Sequence, residues 1–410
     1  MPASSKLTIF NDPIYGFIRI PNALVFDLIE HPYFQRLRHI SQMGLSYLVF
    51  PGAHHTRFHH ALGSMHLMQK AMQILRFKGV EITEEEEEGL LAAILLHDIG
   101  HGPFSHAMER GIAEGLDHEK LSLHFMHALN TKFNGSLTLA IEIFKGTYPK
   151  KFMNQLVSSQ LDMDRLDYLR RDSFYTGVAE GNISAERMIT MLNVADKQLV
   201  VEEKGIYSVE KFLMARRFMY WQVYLHKTGI VAEQLLIQIF RKARDLVQHG
   251  SLLEGSPALL HFLQGDFQPG VFTEDDLDRF AQLDDIDILA AVKTWQNHND
   301  LVLSRLCQML LTRRLLKIKI KANPISQGLL QKYRDQVSKL FNISMEDAGY
   351  FVISGAIQNR AYDHEAQNIN ILRKNGEVLD VAEASDHLNL VAHAKTVEKF
   401  YICYPRECVT

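Results

Sequence analysis

The chain has 410 residues, 47% of them apolar, and a net charge of -4. A chain this long and apolar buries a sizeable core, which excludes disorder as its main state, and its acidic balance argues against a general nucleic-acid or anionic-membrane binder. No apolar run approaches the ~20 residues of a bilayer span, the Met1-Pro-Ala-Ser-Ser-Lys start has no apolar signal core, and Cys307, Cys403 and Cys408 supply neither a disulfide framework nor a Cys-x-x-Cys zinc spacing, so a cytoplasmic protein is expected.

Residues 7–20 read as short extended pieces around an Asn-Asp-Pro turn. Thr83 with Glu86 spells a capping box, and the acidic run 84–88 fills a first helical turn, where negative charge suits the dipole. That helix should run through Leu90–Leu96 into His97-Asp98 and stop near Gly100, Gly102 and Pro103. A second helix is expected from Ser158 or Ser159 to about Asp172, and long helical stretches at 208–248 and 275–320. After Pro324 the periodicity changes. Strands are expected at 350–354, 367–373 and 397–404, with Asn375-Gly376 as a hairpin turn. The expected fold is mainly α: a helical core over 1–324 and a small mixed α+β lobe over 325–410.

The chemistry concentrates where the histidines do. His97-Asp98 places an imidazole beside a carboxylate at a helix end, where both can reach one metal ion. Alone the pair reads as a His favoured by the helix dipole. Its context is Leu-Leu-His-Asp-Ile-Gly-His-Gly-Pro-Phe-Ser-His over 95–106, with glycines that permit close approach. Upstream, His54-His55-Thr-Arg57-Phe-His59-His60 is either a solvated loop or an Arg placed to meet an anion beside a metal. Downstream, Asp164, Tyr168 and Asp172 share one face of a helix. Asp162, Asp167, Arg170 and Arg171 read as the charges of a salt-laced surface helix. Two imidazoles with two carboxylates, Asp98 and Asp164, would make a mixed N/O site for Zn, Fe, Mn, Ni or Co, able to activate water and neutralise phosphoryl charge.

These residues resemble the H…HD…D pattern of HD-domain metal-dependent phosphohydrolases. The resemblance extends over nearly the whole chain to the deoxynucleoside triphosphate triphosphohydrolase branch. It is carried by Asn11-Asp-Pro-Ile, Phe34-Gln-Arg-Leu-Arg38, Tyr47-Leu-Val-Phe-Pro-Gly-Ala, Arg57-Phe-x-His60, the 97–106 string, His118-Glu119 and Asp162-x-Asp-Arg-x-Asp-Tyr168, in that order. The resemblance implies an HD-domain helical core and hydrolysis of a dNTP to deoxynucleoside and intact triphosphate. It implies a divalent metal (Mn, Fe, Zn, Ni, Co or Mg) on His60, His97, Asp98 and Asp164, with further Mg accompanying the nucleotide. His118 matches the general acid and Glu109 the residue that orients it, where the family often has Asp. His101 and His106 match residues at the phosphates, as do Arg57, Arg216 and Arg165, the last replacing a Lys. Gln42 and Asp172 match groups that hold the 3′-hydroxyl, Tyr168 an aromatic beneath the sugar, and Tyr224 and Met43 residues that crowd the 2′ position. Met43 reads equally well as core packing. Glu30, Gln35 and Arg38 match positions that read a guanine nucleotide activator (dGTP or GTP) between subunits of a homotetramer, although Thr8 replaces a phosphate-binding Lys there and Gln35 and Arg38 read equally as ordinary helix residues. His364 and His387 read as surface residues.

Two other readings compete: an HD phosphohydrolase of another nucleotide, such as a nucleoside monophosphatase, and a catalytically silent HD protein that binds nucleotide or nucleic acid. The intact ligand set and His118 argue against silence.

Overall fold

The computed structural model describes residues 8–112, 117–265, 272–359, 362, 367–385 and 397–408. Helix dominates. Seven of the described helices position the site: α1 (Arg57–Phe77), α2 (Glu84–Leu96), α3 (His106–Gly111), α4 (His118–Lys132), α5 (Met163–Thr176), α6 (Ile206–Met219) and α7 (Lys227–Gln248). None of the described helices is long and apolar enough to cross a membrane.

The Thr83 capping box forms with both of its bonds: Glu86 N donates to Thr83 Oγ1 at 3.2 Å, and Thr83 N donates to the Glu86 carboxylate at 2.9 Å. From Gly89 to Leu96 every residue of α2 is buried, so this helix is a core rod rather than an amphipathic surface element. It ends at Leu96, sooner than the glycines suggested, with His97 as its C-cap. α1 packs between α2 and α5. This stacking brings the first turn of α1, the end of α2 and the first turns of α5 to one place.

Three expectations are corrected. α5 begins at Met163 and not at Ser158, because Asp162 folds back as its N-cap and accepts from Ser159 N and Arg165 N, both at 2.7 Å. The stretch 208–248 is two helices joined by a π-helical turn, Tyr220–Tyr224, and the second is capped by the His226 ring. The region read as helical to 320 contains strands. Those strands are β3 (Leu192–Ala195), β4 (Gln198–Glu202) and β5 (Lys317–Lys321).

Among the described residues the sheets are small. β1 (Ile9–Asp12) and β2 (Gly16–Arg19) form an antiparallel hairpin, closed by Asp12 Oδ1 accepting from Ile14 N at 2.8 Å and Tyr15 N at 3.0 Å. The remaining strands are β6 (Ile353–Asn359), β7 (Asn370–Leu372), β8 (Val378–Asp380) and β9 (Val397–Tyr404). One sheet runs β3-β4-β7-β8 and another β5-β9-β6. β4 pairs with β7 in parallel, Val200 opposite Asn370, and β5 pairs antiparallel to β9, Lys317 opposite Tyr404. Both sheets therefore carry backbone hydrogen bonds across residue 324. The Asn375-Gly376 turn joins β7 to β8 as expected, with Gly376 at φ +87. His364 and His387 lie outside the described residues.

Candidate active site

His60 is wholly buried in the first turn of α1. Its Nδ1 lies 2.7 Å from Asp167 Oδ2, and its Nε2 faces Asp164 Oδ1 at 3.0 Å and Asp98 Oδ2 at 3.8 Å. His97 repeats this arrangement. Its Nδ1 meets the Ile94 carbonyl at 2.6 Å, and its Nε2 lies 3.5 Å from both Asp98 Oδ1 and Asp164 Oδ1. Acceptors at both Nδ1 atoms place the ring protons there and turn the two Nε2 lone pairs inward. Both Nε2 atoms are buried without a hydrogen-bond partner. Lone pairs and carboxylate oxygens converging in a buried space call for a cation, and a divalent metal fits this donor set. The electrostatics agree. Burial disfavours the His60 imidazolium, but Asp164 and Asp167 outweigh it and hold the pKa up to about 10, so the carboxylates favour positive charge here, and a metal ion binding at Nε2 would take the place of that proton. Burial likewise disfavours ionised Asp164, and the two imidazoles hold its carboxyl well below the usual range.

Asp98 is shared. It pairs with Arg57 Nη1 and stands 3.3 Å from His101 Nε2. Among the described residues, the anion that Arg57 meets is this carboxylate; its Nη2 donates to Ser105 Oγ at 2.8 Å. Phe104 and Ser105 sit in the left-handed region, at φ 50 and φ 45. Non-glycine residues rarely adopt that conformation, and such strain concentrates at functional sites. Asp285 Oδ1 holds it by accepting from Phe104 N at 2.9 Å.

Beside the cluster lies a second group, formed by His101, Glu109 and His118. His118 opens α4, and its Nδ1 lies 2.9 Å from Glu109 Oε1 on α3. The His118 and His101 rings stack 4.0 Å apart at 16°. Their titrations are pushed apart. Burial and then the Arg57 charge lower His101 to about 3, whereas for His118 the Glu109 hydrogen bond and charge outweigh burial and raise the pKa. The two rings of one stack are thus set apart in proton affinity, His101 towards the neutral form and His118 towards the protonated one. Gly100 makes this possible in a way the sequence reading did not anticipate. A Cβ there would stand 2.2 Å from the His118 carbonyl and 2.3 Å from Ser122 N, so the close approach it permits is by α4 and not by a ligand.

Of the predicted sugar residues, Tyr224 reaches Asp172 directly and Tyr168 through Tyr224. Asp172 Oδ1 lies 2.6 Å from His55 Nε2, and its Oδ2 accepts from the Tyr224 hydroxyl at 2.7 Å. Tyr168 meets Tyr224 edge to face at 6.1 Å and the His60 ring at 6.4 Å, which links this group to the metal cluster. Gln42 Oε1, Arg57 Nε, and Nε and Nη1 of Arg216 are buried without partners. Arg165 is engaged by the protein, donating from Nε to the Ser159 carbonyl at 2.5 Å and lying 3.3 Å from Asp162. Met43 is half-buried against the core. His106 starts α3, and its side chain lies outside the described ones. Away from the cluster, Gln35 donates to the Ile29 carbonyl at 2.7 Å, Arg38 donates to Gln35 and lies over the Phe58 ring, and Glu30 is exposed.

The surface-helix reading of Asp162, Asp167 and Arg171 is overturned: all three are buried. Arg171 grips Asp167 through Nε at 2.9 Å and Nη2 at 3.0 Å, and reaches Asp12 with Nη1 at 2.7 Å. Gly63 makes room for this pair. A Cβ there would lie 2.1 Å from Asp167 Oδ1 and 2.2 Å from Arg171 Nη2. The i, i+4 spacing of Asp167 and Arg171 was visible in the sequence, but their burial was not.

Residues 57–171 match the HD domain family and residues 183–251 the HD associated region family. The chain is similar to an uncharacterized protein of Bacillus subtilis, YwfO, at 33% identity over 99% of this chain and 94% of that one. It is also similar to the deoxynucleoside triphosphate triphosphohydrolase SAMHD1 homolog of Dictyostelium discoideum, at 32% identity over 61% of this chain, and it spans about half of that protein's length (52%). A crystal structure of a phosphohydrolase from Bacteroides thetaiotaomicron superposes with a TM-score of 0.95 at 50% identity, covering 98% of this chain and 100% of that one. The histidine and aspartate cluster at the start of α1 and the end of α2 lies inside the matched domain, and the chain belongs to the HD-domain phosphohydrolase family of metal-dependent hydrolases.

Proposed function

We propose that the protein hydrolyses dNTPs to deoxynucleoside and inorganic triphosphate. The observation that carries this reading is the His118–Glu109 pair stacked on neutral His101 beside the His60, His97, Asp98 and Asp164 cluster. A divalent ion held by those four residues supplies Lewis acidity and lowers the pKa of water. In the reaction a water oxygen bonds to the α-phosphorus, and the bond from that phosphorus to the 5′ oxygen breaks. His118 donates a proton to the departing 5′ oxygen, and Glu109 holds the ring for that transfer. Arg57 and Arg216 supply guanidinium donors to the phosphates, with Arg165 and His101 beside them. Gln42 and Asp172 hold the 3′-hydroxyl, Tyr168 lies under the sugar, and Tyr224 with Met43 crowds the 2′ position. The buried polar atoms of Gln42, Arg57 and Arg216 that lack protein partners support a polyanionic, hydroxyl-bearing ligand.

Glu30, Gln35 and Arg38 are proposed to read a guanine nucleotide in a homotetramer working in the cytoplasm. The contacts that Gln35 and Arg38 already make within the chain favour a structural share in that role.

Product analysis tests the reading. Each dNTP, each NTP and each corresponding monophosphate is incubated with the protein and Mn or Mg, with and without dGTP. Deoxynucleoside and intact triphosphate from dNTPs, and nothing from NTPs, is the expected result. Orthophosphate from monophosphates would replace it with a nucleotidase, and no turnover with any metal would leave a silent binder.

A further inference from the structure

Glu109 also lines an open cavity of about 480 Å³, enclosed by α3, α7 and the strands β6 and β9. That volume falls within the roughly 300–1,000 Å³ of small-molecule sites. Its wall carries the guanidiniums of Arg110 and Arg241, the hydroxyls of Ser354 and Tyr401, the Gln234 amide and the apolar face of Ile237. Arg110 Nη1 lies 3.6 Å from Glu233 Oε1, and the wall also carries the Glu109 carboxylate; beside these, the two guanidinium forks suit an added phosphoryl or carboxylate group, and the hydroxyls and amide suit a polar body. None of Arg110, Arg241, Ser354, Tyr401, Gln234 and Ile237 belongs to the metal cluster, the sugar group or the Glu30, Gln35 and Arg38 positions.

The cavity is coupled mechanically to the acid pair. α3 has six residues, with Glu109 fourth. Its C-terminal end rests on α7: Arg241 Nη2 donates to the Arg110 carbonyl at 3.4 Å and Arg244 Nη1 to the Ile112 carbonyl at 3.2 Å. Gly111 is pressed to α7 so closely that a Cβ would lie 2.8 Å from Phe240 Cβ. Its N-terminal end enters through the strained Phe104 and Ser105. A displacement of this short helix, held between a strained entry and a packed exit, would carry Glu109 with it.

We propose that this cavity is an effector site for a small phosphoryl- or carboxylate-bearing molecule of nucleotide size, which alters turnover by shifting the helix that aims Glu109 at His118. The coupling rests on the reading of that pair as the acid dyad; the binding does not. An anion seated between Arg110 and Arg241 draws on both side chains, and with them on the last turn of α3.

The probes are inorganic phosphate, citrate, AMP and GTP, tested on the full-length protein by thermal melting and by steady-state dNTP hydrolysis. At least one probe raises Tm by about 2 °C and changes kcat by about five-fold with little change in KM. Which probes act separates a phosphate, a carboxylate and a nucleotide ligand. Both responses vanish in Ser354→Trp, which fills the cavity and retains turnover without probe, and in Arg241→Gln. Both persist in Arg38→Ala. The proposal is overturned if no probe moves the wild-type melting curve, if the response survives both cavity variants, or if Arg38→Ala abolishes it. A protein that hydrolyses no dNTP under any metal refutes the proposed activity instead, and melting alone then decides the cavity.

Discussion

Asp167 Oδ2 sits 2.7 Å from His60 Nδ1, and that one bond aims the opposite ring nitrogen at Asp98 and Asp164. Asp167 is itself held by Arg171. An Asp167→Asn change keeps the shape but removes the charge that fixes the His60 tautomer. Affinity for a divalent metal is expected to fall about 10- to 100-fold. Titration against a chromophoric chelator measures it, and unchanged affinity would show that His60 needs no such partner.

Gly63 offers a test in which two effects oppose each other. In a helix interior, Gly→Ala adds about 1 kcal/mol of helix propensity. Here the new methyl would overlap the buried Asp167–Arg171 pair, and such overpacking costs about 1–3 kcal/mol, with more lost if the ion pair opens. Net destabilisation of Gly63→Ala in urea unfolding is expected, together with weaker metal binding. A more stable variant would mean that α1 and α5 can part without cost.

The pH profile should report the His118–Glu109 pair. Burial disfavours the His118 imidazolium, and the Glu109 hydrogen bond and charge overcome this, so the folded pKa is raised. A raised value keeps the acid form populated to higher pH. Glu109→Gln should therefore move the alkaline limb of kcat/KM to lower pH. The stability given by the pair is complete below the unfolded value of about 6.5 and is lost as pH rises through the folded value. An alkaline limb that stays in place in Glu109→Gln would remove His118 from the acid role.

Tyr224 donates to Asp172, and its ring meets Tyr168 edge to face. Tyr224→Ala opens this side of the proposed sugar site. The ratio of NTP to dNTP hydrolysis, measured as kcat/KM, should rise by about 10-fold or more. A ratio that does not change would place the 2′ discrimination on another residue.

Some of this arrangement was legible in the chain. Residue type and spacing pointed to His97, Asp98 and Asp164, the family pattern singled out His60 among the neighbouring histidines, and His60, His97 and Asp164 do converge with Asp98 beside them. The Thr83 capping box was equally local and equally readable. What escaped was set by tertiary contact. Asp167 and Arg171 look like any i, i+4 surface pair until α1 packs over them. Gly100 reads as a helix stop beside a ligand and Gly63 gives no signal of its own, whereas the role of both is to let one helix press on another. β3 and β4 form a local hairpin, Leu192 opposite Val201, inside a region read as helical, and the strand β7 that extends it on the β4 side lies far along the chain.

That distant pairing bears on how the protein is made. Val201 on β4 waits for Ile371, and Ile318 on β5 waits for Cys403. Strand closures over such separations are slow, because loop entropy is lost before any contact compensates. During synthesis the helices that carry the histidine and aspartate cluster emerge first, while the edges of β4 and β5 remain unpaired until the last strands leave the ribosome. A nascent chain therefore exposes two open strand edges beside an already assembled centre, and chaperone protection is needed most in that interval.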